Sequence, residues 1–236
     1  MNHGSEFFIG YEANAPPGIA RWIRRCTLFA AGLGVTIAVA LVTAQGRFDP
    51  ASFAFQDFRG YQGALATWPA PILHRPDISL ILTGPGKHGL AAGSLQSGPV
   101  KLSGALAANG PNRLLEALPG SISAAHGESA PEPERYGTRT LRGEIVDTKC
   151  YVGVMNPGRG KVHRACAARC LSGGIPAGLL VRDQSGEARV FVLAGSGAAA
   201  TNTMRLAGEA VRVTGSVMRQ GSVWILEVDS AAIRRE

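Results

Sequence analysis

The chain has 236 residues, of which 45% are hydrophobic and 17% are charged, and it carries 31 glycines and 14 prolines. This composition indicates a folded protein with many turns, in which β structure is favoured over helix. The formal charge of +7 comes from arginines spread along the sequence. Nucleic-acid binding is therefore disfavoured, because that function calls for a concentrated basic patch.

The first predicted element is a membrane-spanning helix. Residues Cys26–Ala44 contain no charged side chain. At about 1.5 Å per residue, such a run is long enough to cross a hydrocarbon core of roughly 30 Å. The membrane anchor is therefore assigned to residues 26–46.

Charge on the two sides of this anchor predicts its orientation. Three arginines precede it closely: Arg21, Arg24 and Arg25. Because cytoplasmic flanks are enriched in such cations, residues 1–25 are predicted to be cytoplasmic, and the bulk of the chain lies outside the cytoplasm. This arrangement fits a bacterial inner-membrane protein with a periplasmic body. A cleaved signal peptide, with its cleavage site at Val42–Ala44, is the alternative, and it would also export the body.

A duplicated unit follows the anchor. Residues 80–118 align without a gap on residues 191–229, a shift of 111 positions. The alignment matches turn glycines, such as Gly104 with Gly215, as well as the alternation of apolar residues. Coincidence of turns and strand pattern indicates an internal repeat of β structure.

The second copy contains an insertion. Upstream of the gap-free region, Gly63 aligns with Gly143, a shift of 80 instead of 111 positions, so the second copy is 31 residues longer between its opening strands. The segment 147–177 falls in this insertion and holds three of the four cysteines. A loop grafted onto a duplicated scaffold is a common place for function.

Each copy is predicted to contain a glycine-marked strand, a short apolar strand and a hairpin. The short apolar strands are Ile78–Thr83 and Arg189–Ala194. This pattern resembles a small OB-type barrel. The predicted fold is therefore mainly β, with two tandem OB-like barrels after one N-terminal transmembrane helix and a short helical insertion in the second. The barrels are assigned to residues 52–122 and 136–236, and residues 123–135 form a polar linker.

The insertion gathers soft ligands around one predicted helix. Lys161–Leu171 has good helix formers and no breaker, which predicts a helix of two to three turns. His163, Cys166 and Cys170 are spaced i, i+3, i+7 and would share one face of it. Cys150 lies just upstream, at the end of a predicted strand.

The first interpretation of these cysteines is a structural disulfide, since the exported compartment permits one. Cys166 and Cys170 would be about 6 Å apart at Cα on a helix, with side chains poorly aimed at one another. The bond would therefore join Cys150 to one of them and leave the third thiol free.

The second interpretation is a metal site for copper(I) or zinc. Cys150, Cys166 and Cys170, with His163, make a three-cysteine, one-histidine set suited to either ion. His163 and Cys170 would be about 10.5 Å apart along an ideal helix, so His163 can join only from a frayed first turn. Met155 could add a thioether from the preceding loop.

The third interpretation is thiol redox chemistry. Positive charge around the thiols favours the thiolate, and four cations are close in sequence: Arg159, Lys161, Arg164 and Arg169. However, the spacing is CxxxC rather than the CxxC of thioredoxin-like proteins. Haem attachment is disfavoured, because no CxxCH motif is present.

Other polar residues are expected to have lesser roles. Asp147 and Lys149 flank Cys150 and could fix the loop by hydrogen bonding, but solvated surface is the favoured interpretation. His74 and His88 belong to the first copy and are predicted to be surface histidines. No Ser/His/Asp set or carboxylate pair indicates hydrolase chemistry.

The run Cys150–Pro176, with its HxxCxxxC motif and closing GGIP, resembles a motif of bacterial exported proteins that have one membrane span and an OB-like body. The resemblance covers about 30 residues and implies architecture rather than activity. One span followed by an exported OB barrel is also similar to the haem chaperone of cytochrome c maturation, although that family's haem-binding histidine motif is not recognisable here. The CxxxC spacing resembles the copper loops of Sco-type assembly factors and CuA centres, but here the histidine precedes the cysteines.

These features predict a membrane-anchored periplasmic accessory or electron-transfer-linked subunit of a respiratory or metallo-enzyme assembly, whose partners would be membrane-complex proteins. Its cysteine–histidine insertion would be either a disulfide-stapled surface or a copper or zinc site. The alternative functions are a periplasmic thiol–disulfide oxidoreductase and a metal or haem chaperone. A non-enzymatic role is favoured over an enzymatic one.

Overall fold

The N-terminal element is one long apolar helix. The computed structural model describes residues 15–45, 51–195, 198–229 and 232–236, and helix α1 spans Pro17–Gln45. Proline suits the first turn of a helix, where its missing N–H is not needed. The helix is long and apolar enough to cross a membrane. It includes residues 26–45 of the predicted anchor, while residue 46 and residues 1–14 of the predicted cytoplasmic segment lie outside the described residues.

The first barrel is a closed sheet of five strands. Its members are β2 (Arg59–Ala66), β3 (Ile72–His74), β4 (Ser79–Thr83), β5 (Gly98–Asn109) and β6 (Asn112–Ala117). They pair in the order β5-β2-β3-β4-β6, and β6 closes the circle on β5. Every pairing is antiparallel except β4 with β6, which is parallel. Two short strands, β1 (Ser52–Phe53) and β7 (Ser123–Ala124), add to β5.

The second barrel repeats this topology. Its members are β8 (Glu134–Asp147), β9 (Ala177–Arg182), β10 (Ala188–Ala194), β11 (Ala210–Gln220) and β12 (Val223–Glu227). The order is β11-β8-β9-β10-β12, closed by β12 on β11, and the one parallel pair is β10 with β12. A strand β13 (Ile233–Arg235) adds to β11. This strand order is that of an OB barrel, so the predicted fold class is confirmed.

Strand register confirms the internal repeat. Ala64 pairs with His74 in the first barrel. Their counterparts in the second barrel, Glu144 and Leu180, also pair with each other, and they lie 80 and 106 residues later in the chain. From β4 onward the shift is 111 residues. Ile81 pairs with Leu114 in the first barrel, and Val192 and Ile225, each 111 residues later, pair in the second. The structure adds one strand per copy, β3 and β9, that the sequence pattern did not predict. Strand β7 and the start of β8 occupy the two ends of the predicted linker, residues 123–135.

Each barrel has a hydrophobic core of its own, and the two barrels share a further one at their boundary. Buried residues from both contribute to it, including Ile72, Ile81 and Leu114 from the first barrel and Val190, Val192 and Ile225 from the second. Polar bonds cross the same boundary: the Asn112 amide donates to the Ala188 carbonyl at 3.0 Å and accepts from the Val190 N–H at 2.9 Å. The barrels therefore hold each other in a defined arrangement.

His74 is buried in this boundary, which corrects its prediction as a surface histidine. Its side chain is 5% exposed, and Nδ1 lies 2.9 Å from the Ser79 hydroxyl. Ser79 in turn exchanges hydrogen bonds with Ser222 of the second barrel. Burial lowers the pKa of His74, so the neutral imidazole is the form that fits there. His88 is exposed, as predicted.

Candidate metal centre

The insertion leaves the second barrel at the end of β8 and returns at β9. A π-helix over Cys150–Val154 follows β8, and helix α2 spans Arg164–Ser172. The predicted helix is confirmed, but it begins at Arg164, because residues 161–163 form a turn. Gly173 closes its last turn, and Gly174 follows with a φ of +88°, a conformation that favours glycine.

This path brings three sulfur atoms together. Cys150, Cys166 and Cys170 each place Sγ within 4.8 Å of the other two. Cys150 and Cys170 are buried, at 4% and 1% exposure, while Cys166 is half-buried. The i, i+4 spacing on α2 stacks Cys166 against Cys170, and the π-helix supplies Cys150 from the opposite side.

The spacing of the sulfurs suits a metal ion. The Sγ atoms of Cys150 and Cys170 are 3.7 Å apart, and both cysteines are free thiols. A disulfide would hold them at about 2.05 Å. Two thiolates on one tetrahedral ion with bonds of about 2.3 Å would be roughly 3.8 Å apart. These three cysteines could therefore hold a metal ion with little movement, and the predicted disulfide staple stays a prediction.

His163 faces a different partner from the cysteine pair of α2. It sits in the turn just before the helix, as a metal role would require, but its Nε2 donates to Asp147 Oδ2 at 3.0 Å. It forms a second compact group with Asp147 and Cys150. The four predicted ligands thus fall into two groups that share Cys150: the three cysteines form one, and His163 joins Cys150 and Asp147 in the other.

Asp147 is buried and connects two parts of the insertion, so the prediction that it is a solvated surface residue was wrong. Its side chain is fully buried. Oδ1 accepts from the backbone N–H of Cys150 at 2.8 Å, and Oδ2 accepts from His163. One carboxylate thus ties the start of the π-helix to the start of α2, and so fixes the separation of Cys150 from the other two thiols.

The cation at the thiols comes from the first barrel. Lys87 Nζ donates to Cys166 Sγ at 3.2 Å, and this contact raises the pKa of Lys87. The cations predicted to surround the thiols are placed differently: Arg164 pairs with Glu209, while Lys161 is exposed. The sequence analysis missed Lys87, because it lies 79 residues before Cys166 in a glycine-containing loop of the first copy.

Lys149 holds the Lys87 loop in place and is buried, again contrary to prediction. Its ammonium donates to the carbonyls of Gly84 at 2.8 Å and Gly86 at 2.7 Å, and it forms an ion pair with Glu116 of β6. Three donors thus meet three acceptors, as a buried ammonium requires. The insertion and the first barrel are clamped together at the point where Lys87 meets Cys166.

Close backbone contacts complete this clamp. The N–H of Gly89 donates to the carbonyl of Gly173 at 2.9 Å. A Cβ on Gly173 would overlap the carbonyl oxygen of Lys87, and one on Gly89 would overlap that of Gly174. Glycine is therefore required on both sides of the contact.

Burial keeps the inner thiols protonated. It raises the pKa of Cys170 to about 11, with a further contribution from the Asp147 charge. The same causes raise the pKa of Cys150 still further. Both groups are therefore thiols at neutral pH in the metal-free protein, and a metal ion would have to displace their protons.

Two other sulfur-bearing side chains, Met155 and Cys26, are exposed. Met155 follows the π-helix with its side chain 44% exposed, and its predicted thioether role stays a prediction. Cys26 is exposed on α1. Comparison of the chain with protein-family models, curated proteins and solved structures gives no match.

Proposed function

We propose that the protein is a membrane-anchored copper(I)-binding accessory subunit, which holds the ion on Cys150, Cys166 and Cys170. The observation that carries the proposal is the convergence of three sulfurs within 4.8 Å of one another. Soft thiolates are the ligands that copper(I) prefers. The buried position of two of them would keep the ion from water.

The number of donors favours copper(I) over zinc. Structural zinc sites are almost always four-coordinate. Here the fourth predicted ligand, His163, lies in a group with Asp147 and Cys150 and outside the group of three sulfurs. Three sulfurs without it are a complete set for copper(I) but an incomplete one for zinc, which would need an added water or a movement of His163.

Lys87 supports a negatively charged centre. Three thiolates around a monovalent cation carry a net charge of −2, which is costly to bury without compensation. The Lys87 ammonium lies 3.2 Å from Cys166 Sγ and supplies one positive charge. A charge-assisted hydrogen bond of this kind stabilises a ligating thiolate from outside the metal's own shell.

The cellular setting is part of the proposal. Helix α1 supplies one candidate span, and the arginines before it favour a cytoplasmic N-terminus with both barrels in the periplasm. An ion held on a fixed scaffold beside the membrane suits an accessory or electron-transfer-linked subunit of a respiratory or metallo-enzyme assembly. Its partners would be proteins of that assembly.

Metal content and thiol reactivity together test the proposal. We expect the full chain, purified anaerobically in detergent and supplied with copper(I), to bind one ion and to protect three thiols from alkylation. Cys166→Ser and Cys170→Ser should each lose most of the bound copper, whereas Cys26→Ser should retain it. Copper content unchanged in both site variants would contradict the proposal, as would selective retention of zinc from an equal mixture.

A thiol–disulfide oxidoreductase is the second candidate, favoured by the 3.7 Å between Cys150 and Cys170. The raised pKa of both thiols argues against it, because thiolates are the reactive species in exchange. Thiol counts separate the two functions. A metal-free protein whose Cys150 and Cys170 become alkylated only after reduction would support the redox function.

A further inference from the structure

A cleft of about 550 Å³ lies beside the thiol site, between the loop after β4 and the C-terminal end of α2. Its lining residues are Gly86, Lys87, His88, Arg169, Ser172 and Gly173. Among these described residues, two side chains are cationic and none is acidic. A concave surface with such a lining suits an anionic ligand.

The cleft reaches the thiols only through their most exposed member. Lys87 belongs to its wall and contacts Cys166 Sγ directly. Cys166 is half-buried, while Cys150 and Cys170 lie behind it with almost no exposed surface. An ion arriving from solvent would therefore meet Cys166 before the other two.

The two cations of the cleft have N–H groups that could contact a ligand. The Lys87 ammonium has three N–H groups, of which one is directed at Cys166. Arg169 is exposed on the same helix as Cys166, one turn further along. Its guanidinium can take a carboxylate in a two-point contact. His88 adds an imidazole ring beside them.

We propose that this cleft binds a low-molecular-weight thiol that carries carboxylates, and that its copper(I) complex is the form in which the ion reaches Cys166. The inference rests on the proposed copper function and adds the substrate class. The carboxylates would lie against Lys87 and Arg169, which places the thiolate-bound ion next to Cys166.

The transfer is a ligand exchange without a redox change. The sulfur of Cys166 forms a bond to copper(I), and a copper–sulfur bond of the donor complex breaks. The proton of the Cys166 thiol passes to the departing thiolate, so copper stays monovalent and charge balances. Where the donor complex holds two thiolates, Cys170 displaces the second one in the same way, and Cys150 then adds as the third ligand and releases its proton to water.

The test compares two copper(I) donors on the full chain in detergent, under anaerobic stopped-flow conditions. The probes are the copper(I)–glutathione complex, which carries carboxylates, and the copper(I)–acetonitrile complex, which carries none. We expect Arg169→Gln, which leaves the Lys87–Cys166 contact intact, to slow transfer from glutathione by about tenfold, the usual scale of electrostatic steering. Transfer from acetonitrile should change less than twofold.

Two further variants make the result specific. Lys87→Gln/Arg169→Gln should slow the glutathione reaction by a larger factor, and it should also slow the acetonitrile reaction because the Lys87–Cys166 contact is lost. Lys101→Gln removes an exposed cation of β5 and should have no effect. A wild-type glutathione rate in Arg169→Gln, or equal slowing of that variant with both donors, would overturn the inference while leaving the copper site standing. A wild-type chain that takes copper(I) from neither donor would overturn the proposed function itself.

Discussion

Replacement of Lys149 by methionine is expected to destabilise the barrel pair by about 3–5 kcal/mol, the usual cost of breaking a buried ion pair from one side. Its side chain is 3% exposed and that of Glu116 is 13% exposed. The substitution would leave the Glu116 carboxylate and the carbonyls of Gly84 and Gly86 without their shared donor. Chemical denaturation of the full chain in detergent measures the loss.

A double variant and a surface control show whether the loss comes from the unpaired charge. Lys149→Met/Glu116→Leu should recover a large part of the loss, because the unpaired charge is gone. Lys101→Met, on an exposed position of β5, should stay within about 0.5 kcal/mol of wild type. A Lys149 variant as stable as that control would contradict the buried clamp.

The clamp also has a functional consequence. Lys149 holds the loop that carries Lys87, so its loss should separate Lys87 from Cys166. We expect the copper affinity of Lys149→Met to fall along with its stability. This result would link the first barrel to the chemistry of the second.

Replacement of Asp147 by asparagine is expected to cost about 2 kcal/mol, although the two side chains have nearly the same shape. Each carboxylate oxygen of Asp147 accepts one hydrogen bond, from the Cys150 N–H and from His163. An amide offers a donor in place of one of these acceptors, so one buried N–H loses its partner. Denaturation measures the total, and amide exchange at Cys150 shows whether the loss is local.

The same variant should bind copper(I) more weakly, by roughly 10–100-fold, as is typical when a group that orients metal ligands is removed. Asp77→Asn changes an exposed carboxylate between β3 and β4 and serves as the control. Wild-type affinity and wild-type exchange at Cys150 in Asp147→Asn would show that the carboxylate does not position the thiol.

Local sequence patterns were sufficient to predict the scaffold. Turn glycines and alternating apolar residues recur at a fixed shift, and strand pairing follows the same shift from β4 to β6 and from β10 to β12. The short strands β3 and β9 escaped prediction. Ile72–His74 has only three residues in a proline-rich stretch, too few for alternation to be visible.

The insertion was predicted less completely, because its order depends on contacts that no local pattern encodes. Helix periodicity placed Cys166 beside Cys170, as the structure has it. The sequence predicted a helix from Lys161, which would include His163. In the structure α2 begins at Arg164, and His163 lies in the turn before it with its ring toward Asp147. Charged residues next to a cysteine usually lie on the surface, so the burial of Asp147 was not expected.

The contacts between barrels were missed altogether. Treating the two copies as separate domains gave no reason to bring Lys87 to Cys166 or Lys149 to Glu116, partners separated by 79 residues in the first case. The shared core shows why they meet: apolar residues of both barrels pack together and carry the loop after β4 onto α2. Long-range polar contacts of this kind follow from tertiary packing.

The most direct test of the copper(I) site is X-ray absorption at the copper edge, recorded on the full chain loaded with one equivalent of copper(I) under anaerobic conditions. The three-thiolate site predicts three sulfur neighbours and no nitrogen neighbour, because His163 lies outside the group of three sulfurs. A spectrum with two sulfurs and a nitrogen, or with oxygen neighbours from weak surface binding, would contradict it.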